Sequence, residues 1–176
     1  MKRLCNKLID KNVSLENKLT QLDDIYNHKQ LVIETGFKLV KYLMKNNQDE
    51  LALKLSKRLF VHDLSKIKED EFYGMAKFAD DVDALKDPKK QVESDKQLAI
   101  NLHWERNSHH PEYWIDLNQM EDLDIMELAA DWYARSEQFG TNMLEFLEIR
   151  NKDRFHFPQD IYDKIVGYYY IIKEED

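Results

Sequence analysis

HDLSKI, His62 to Ile67, sets an imidazole and a carboxylate side by side at the end of an apolar-periodic segment, with a lysine one turn later. Leu51, Leu55, Leu59 and His62 share one face of a helix read from about Asp49, so His62 points toward a core. Asp63 lies about 100° around that helix, and the pair spans two directions near its end. An imidazole and a carboxylate so placed can bind one cation together, or the carboxylate can bridge to a second. Lys66 follows His62 by four residues and Asp63 by three, within reach of both. It reads either as a solvated lysine paired with Asp63 or as a cation that holds a substrate phosphate.

Upstream, a helix is expected from Leu15 to Lys45, capped at Ser14. His28 falls on its apolar face with Ile25, Val32, Thr35 and Leu39 at spacings of three and four, and therefore points inward. Residues before about Asn12 have no strong period and read as a frayed lead-in. Downstream, a helix over Lys68 to Asp80 buries Phe72, Met75, Phe78 and Ala79. The helix dipole accounts for Glu69, Asp70 and Glu71 in its first turn. Asp80 to Ser94, with Pro88 and Lys89-Lys90, reads as a loop. Ser94 then caps a helix carrying Leu98, Leu102 and His103, and Asn107 one turn later shares the face of His103, where it can orient the ring.

Ser108-His109-His110-Pro111 follows, and two arguments oppose each other there. A continuing helix returns His110 to the face of His103, roughly 700° on, and turns His109 away. Pro111 biases His110 out of helical backbone, so the turn can present either ring or both. The next helix is read from about Met120 to Phe139, with Gly140 as its stop. Leu123, Glu127, Asp131 and Ala134 form one face, beside Ala129 and Ala130. A buried carboxylate is costly unless paired or bound to a cation, which makes Asp131 a metal-ligand candidate. Arg135, one turn on, is placed to form an ion pair with Asp131 or to hold a phosphate. Helices over Thr141 to about Lys152 and after Pro158 complete the chain. On the last, Ile161, Ile165, Tyr168, Tyr169 and Ile172 read as packing, and His156 between two Phe reads as structural.

The 176 residues are expected to form one all-α domain, a bundle of about six to seven helices with its core over residues 15–140 and helices 141–176 packed on it. Four Gly and three Pro leave few turn signals. The single Cys5 and an N-terminus without a signal-like apolar run point to a cytoplasmic protein. No stretch approaches the ~18 consecutive apolar residues of a membrane span. A formal charge of −8 disfavours sequence-independent binding to polymeric nucleic acid, so any bound phosphate must meet local positive charge. The aromatic C-terminal face leaves the oligomeric state open.

The ordered series His28, His62-Asp63, His103, His109-His110, Asp131 resembles the HD superfamily of metal-dependent phosphohydrolases over roughly Leu15 to Gly140. HDLSKI is similar to the HD-x-G-K form of its signature, and HHPEYW to the paired-histidine segment of its two-metal branches. This chain departs from the pattern in three ways. Ser65 stands where many members have Gly, no GYP sequence is present, and only five residues separate His103 from His109. The resemblance implies an HD-like bundle in which His28, His62, Asp63 and Asp131 bind a first divalent cation and Asp63 bridges. His103, with His109 or His110 or both, would bind a second. Mn or Fe is favoured, and residue types do not distinguish these from Zn, Co or Ni.

On that resemblance the expected activity is hydrolysis of a small phosphate ester, a nucleotide or nucleotide-like compound, by a metal-activated water. Lys66 and Arg135 would stabilise the transferring phosphate. Two other classes carry the same residues. Mixed-valent di-iron oxygenases of the superfamily use a similar His/Asp cage, and a non-catalytic helical protein can be stabilised by metal alone.

Overall fold

In a computed structural model the protein is all-α, and the structure describes residues 11–77 and 95–175. Among the described residues there are seven α-helices and no strand. They are α1 (Leu15–Lys45), α2 (Asp49–Val61), α3 (Glu69–Ala76), α4 (Asp95–Arg106), α5 (Asp122–Phe139), α6 (Met143–Arg150) and α7 (Gln159–Glu174). Among these residues no helix is long and apolar enough to cross a membrane. The expected loop over Asp80 to Ser94, the Ser94 cap, Phe78, Ala79 and the lead-in before residue 11 lie outside the described residues.

The chain groups into two compact units, Met1–Tyr26 with Asp63–Asn107 and Asn27–His62 with Ser108–Asp176. The second unit holds the larger apolar core. Leu39 and Leu43 of α1 and Leu55 and Leu59 of α2 are buried in it, with Ile125, Leu128 and Ala129 of α5 and Ile165 and Ile172 of α7. Gly36 makes the α1 and α2 contact possible, because a Cβ there would lie 2.4 and 2.5 Å from the two methyls of Leu59. That close approach anchors α2 three residues before His62. Helix α5 is capped reciprocally by Glu121 and Asp124 and stops at Gly140, whose φ of 62° is the left-handed conformation glycine adopts freely. Its run of buried alanines, Ala129, Ala130 and Ala134, lets neighbours approach closely.

In the first unit α3 packs along α4, with Met75, Ala76 and Ala99 buried. The Ser14 hydroxyl accepts the Asn17 amide at 3.1 Å, which is the expected cap of α1. Helix α3 begins at Glu69, one residue after the expected start at Lys68, and Glu71 in its first turn is fully buried. The helix dipole therefore does not suffice as the reason for that acid. Near the C-terminus, α6 is shorter than the expected Thr141 to Lys152, because the chain passes into a π-helical turn over Asn151–Phe155. His156 closes that turn, exposed and with a φ of 51°.

Candidate metal centre

Helix α2 stops at Val61, one residue before the HD pair. His62 is its extended C-cap, and Asp63 takes a left-handed φ of 55°. The 100° helical fan between the two side chains is thus replaced by a sharp change of backbone direction. The four residues Leu64–Ile67 then form one 3-10 turn.

In the second unit, α1, α2, α5 and the turn after Ser108 converge on Asp131. His28 Nε2 lies 2.9 Å from Asp131 Oδ1, and both side chains are buried. His62 Nε2 stands 3.9 Å from the same oxygen, and His109 Nε2 stands 3.9 Å from Oδ2. These two separations exceed hydrogen-bond length. The rings of His28 and His62 meet edge to face at 5.6 Å, and those of His62 and His109 lie 4.5 Å apart. Burial alone would raise the Asp131 carboxyl. The hydrogen bond from His28 and the charges of His28, His62 and His109 outweigh it and hold the group well below the usual carboxylate range.

The paired histidines separate clearly. Helix α4 ends at Arg106, so the helical continuation that favoured His110 does not occur. Pro111 opens a 3-10 turn instead, leaving His110 extended at ψ 131°. His109 is the buried ring that joins the Asp131 group, while His110 is half-buried and stacks on His109 at 4.2 Å. Trp114 Nε1 donates to the Ser108 carbonyl at 2.8 Å and pins the segment.

A second layer supports these rings. His62 Nδ1 lies 2.9 Å from Glu127 Oε1, and Arg58 grips Glu127 Oε2 through Nε at 2.8 Å and Nη2 at 2.7 Å. The same guanidinium reaches Asp124 Oδ1 at 2.8 Å and the Ser108 hydroxyl at 3.0 Å. Burial raises the Glu127 carboxyl, but the hydrogen bond from His62 and the charges of His109, His62 and Arg58 leave it lowered. Arg135, one turn beyond Asp131 on α5, donates to Gln138 Oε1 at 2.9 Å with its guanidinium 5.9 Å from the Phe139 ring.

In the first unit Asp63, Lys66 and His103 come together. Because a 3-10 turn aligns residues three apart, Lys66 Nζ sits 2.5 Å from Asp63 Oδ2. The expected pairing with Asp63 is present, but Lys66 is 8% exposed and so buried, not solvated. His103 Nε2 faces Asp63 Oδ1 at 3.2 Å, and its Nδ1 lies 3.1 Å from Glu71 Oε2. The Ser65 hydroxyl donates to that Glu71 oxygen at 2.7 Å and lies 3.1 Å from His103 Nδ1. Ser65 thus ties the Glu71 carboxylate to the His103 ring. Asn107 orients the same ring, with Nδ2 donating to the His103 carbonyl at 2.7 Å and to the Ser65 hydroxyl at 2.8 Å. Burial lowers the His103 imidazolium, whereas the charge and hydrogen bond of Asp63 and the hydrogen bond of Glu71 raise it, and the net shift is upward. Glu71 is raised by burial and lowered more by His103, Arg106 and Ser65.

His28, His62 and Asp131 therefore form a buried donor group able to hold a metal ion, as do His62, His109 and Glu127. Imidazole nitrogens with carboxylate oxygens suit borderline divalent cations such as Zn, Mn or Fe. Sequence reading missed Arg58 and Arg106 altogether, took Glu71 only as a first-turn acid and noted Glu127 only as an inward acid.

Residues 17–165 match the model of a family described as "Family of unknown function (DUF5662)", and the chain belongs to that family. No curated protein and no solved structure matches it.

Proposed function

We propose that this DUF5662 chain is a metal-dependent phosphohydrolase of HD type acting on small phosphate esters, with nucleotides the first class to test. The observation that carries the reading is the convergence of three buried imidazoles on the buried Asp131 carboxylate. A buried ring cluster of this kind is costly as packing alone and is well suited to a cation. His28, His62, His109 and Asp131 would hold one divalent ion. His103 and Asp63, the residue joined to His62 in the chain, are the further ligands that the HD resemblance supplies. A bound divalent ion acidifies water and neutralises charge on a phosphoryl group.

The chain's own residues carry the rest. Lys66, buried and held against Asp63, is a fixed positive charge in a protein of net charge −8. It would draw a phosphoryl oxygen toward the HD turn and stabilise the charge that grows there during transfer. Arg135, which bonds Gln138 at the far end of α5, has no part in this reading.

Elemental analysis of protein purified without chelators, followed by a phosphate-ester panel with Mn(II), tests the proposal. Wild-type protein should carry metal and release phosphate, and Lys66→Met should keep the metal while kcat and kcat/KM fall together. Absence of metal under every loading condition refutes it. So does an iron-loaded protein that consumes oxygen and hydrolyses none of the esters.

A further inference from the structure

His62, Glu127 and Arg58 in one unit and His103, Glu71 and Arg106 in the other follow the same order of contacts. In each, a buried histidine turns Nδ1 to a buried glutamate, at 2.9 Å for His62 and 3.1 Å for His103. An arginine holds that glutamate, Arg58 through two nitrogens and Arg106 through Nη1 at 2.5 Å from Glu71 Oε1. Each histidine turns Nε2 the other way, to an aspartate that the metal reading uses, Asp131 or Asp63. The two constructions share no residue and arise from different helices.

Glu127 admits a competing role, because one of its oxygens groups with nitrogens of His62 and His109 as a set of possible metal donors. Its surroundings argue against it. Glu127 Oε1 already sits at hydrogen-bond distance from His62 Nδ1, and a guanidinium occupies the other oxygen at 2.7 and 2.8 Å. Arg58 is a permanent positive charge, which repels a divalent cation from that carboxylate. An ionised carboxylate only accepts hydrogen bonds, so the imidazole must supply the hydrogen from Nδ1. The lone pair of a neutral His62 ring then lies on Nε2, which stands 3.9 Å from Asp131 and beyond hydrogen-bond length; His103 Nε2 faces Asp63 at 3.2 Å, and there the Glu71–Arg106 clamp is what favours Nδ1–H.

We propose that Glu127 and Glu71 are positioning residues, each clamped by its own arginine, that fix His62 and His103 as Nδ1–H tautomers so that each ring offers Nε2 to a divalent cation. The cation rests on the phosphohydrolase reading, but the tautomers do not. A carboxylate or carbonyl behind a ligating imidazole sets its orientation and basicity, and loss of such a partner costs about 10–100-fold in metal affinity.

Two measurements test this. Long-range proton–nitrogen correlation spectra of metal-free protein with labelled histidines, at pH 9, should show His62 and His103 as Nδ1–H tautomers, assigned by signal loss in His62→Gln and His103→Gln. An Nε2–H tautomer for either ring overturns the proposal for that ring, and this result needs no glutamate variant to fold. Titration with Mn(II) should then show Glu127→Gln and Glu71→Gln binding about 10–100-fold more weakly while reaching the wild-type number of ions at high Mn(II). Permanent loss of one ion in Glu127→Gln would make Glu127 a ligand, and unchanged affinity would make it a bystander; both overturn the proposal. Wild-type protein that takes up no Mn(II) sinks the phosphohydrolase reading and leaves the tautomers to decide this one.

Discussion

Replacing Arg58 by methionine should destabilise the protein by about 3 kcal/mol at pH 7, at the lower end of the range for breaking one side of a buried ion pair. The substitution keeps most of the aliphatic stem and removes the guanidinium that contacts Asp124 and Glu127 together. Both carboxylates are 5% exposed at the side chain, so each would be left with a charge that water reaches poorly. Arg58 itself is 27% exposed, which places the loss near the low end and not the high one. The deficit should also depend on pH. Glu127 has a lowered pKa, so its contribution is fully present above the ordinary carboxylate value of about 4.3 and is lost as pH falls through its lower folded value. The gap between wild type and Arg58→Met is therefore widest near neutrality and narrows below about pH 4. Urea unfolding followed by helical circular dichroism at about pH 7, 4 and 3 measures it. A gap under about 0.5 kcal/mol at pH 7, within the usual range for surface changes, would refute the clamp, as would a gap that does not change with pH.

Gly36→Ala should lower stability by about 1 kcal/mol, because overpacking against the buried Leu59 methyls costs about 1–3 kcal/mol and helix propensity returns about 1. Thermal melting decides the sign, and a raised Tm would mean that Leu59 moves aside freely. His109→Ala should deplete bound metal while His110→Ala leaves it near the wild-type amount, since only His109 is turned into the Asp131 group; equal retention in both variants excludes the pair from the cation site.

The polar residues legible in the sequence are those whose position on a helix determines where they point. His28 and Asp131 each interrupt an apolar stripe, and the structure buries both. Ser14 and Gly140 mark helix ends through local chemistry, and both do so here. What stayed hidden depends on where a helix stops or on a partner far along the chain. Which of His109 and His110 turns into the Asp131 group depended on the end of α4, and spacing could not tell whether Pro111 ended the helix at His110 or several residues sooner. Arg58 meets Glu127 across 69 residues, and Glu71 meets Arg106 across 35. In sequence Glu71 is one of three first-turn acids with identical local reasons to be there. Only the packing of α3 along α4 singles it out, by burying Glu71 completely.

The left-handed backbone at Asp63 changes how that residue can be interrogated. Asn47, Asp63 and His156 are the non-glycine residues of positive φ among those described, and Asn, Asp and His are the side chains that tolerate this region best. Asp63 thus answers to two demands, a conformational one that a β-branched or plain aliphatic residue meets poorly and an electrostatic one that only a carboxylate meets. An alanine there would confound them, adding backbone strain to the loss of charge. Asparagine satisfies the first demand and fails the second, so Asp63→Asn isolates the negative charge while the turn that carries Lys66 keeps its path.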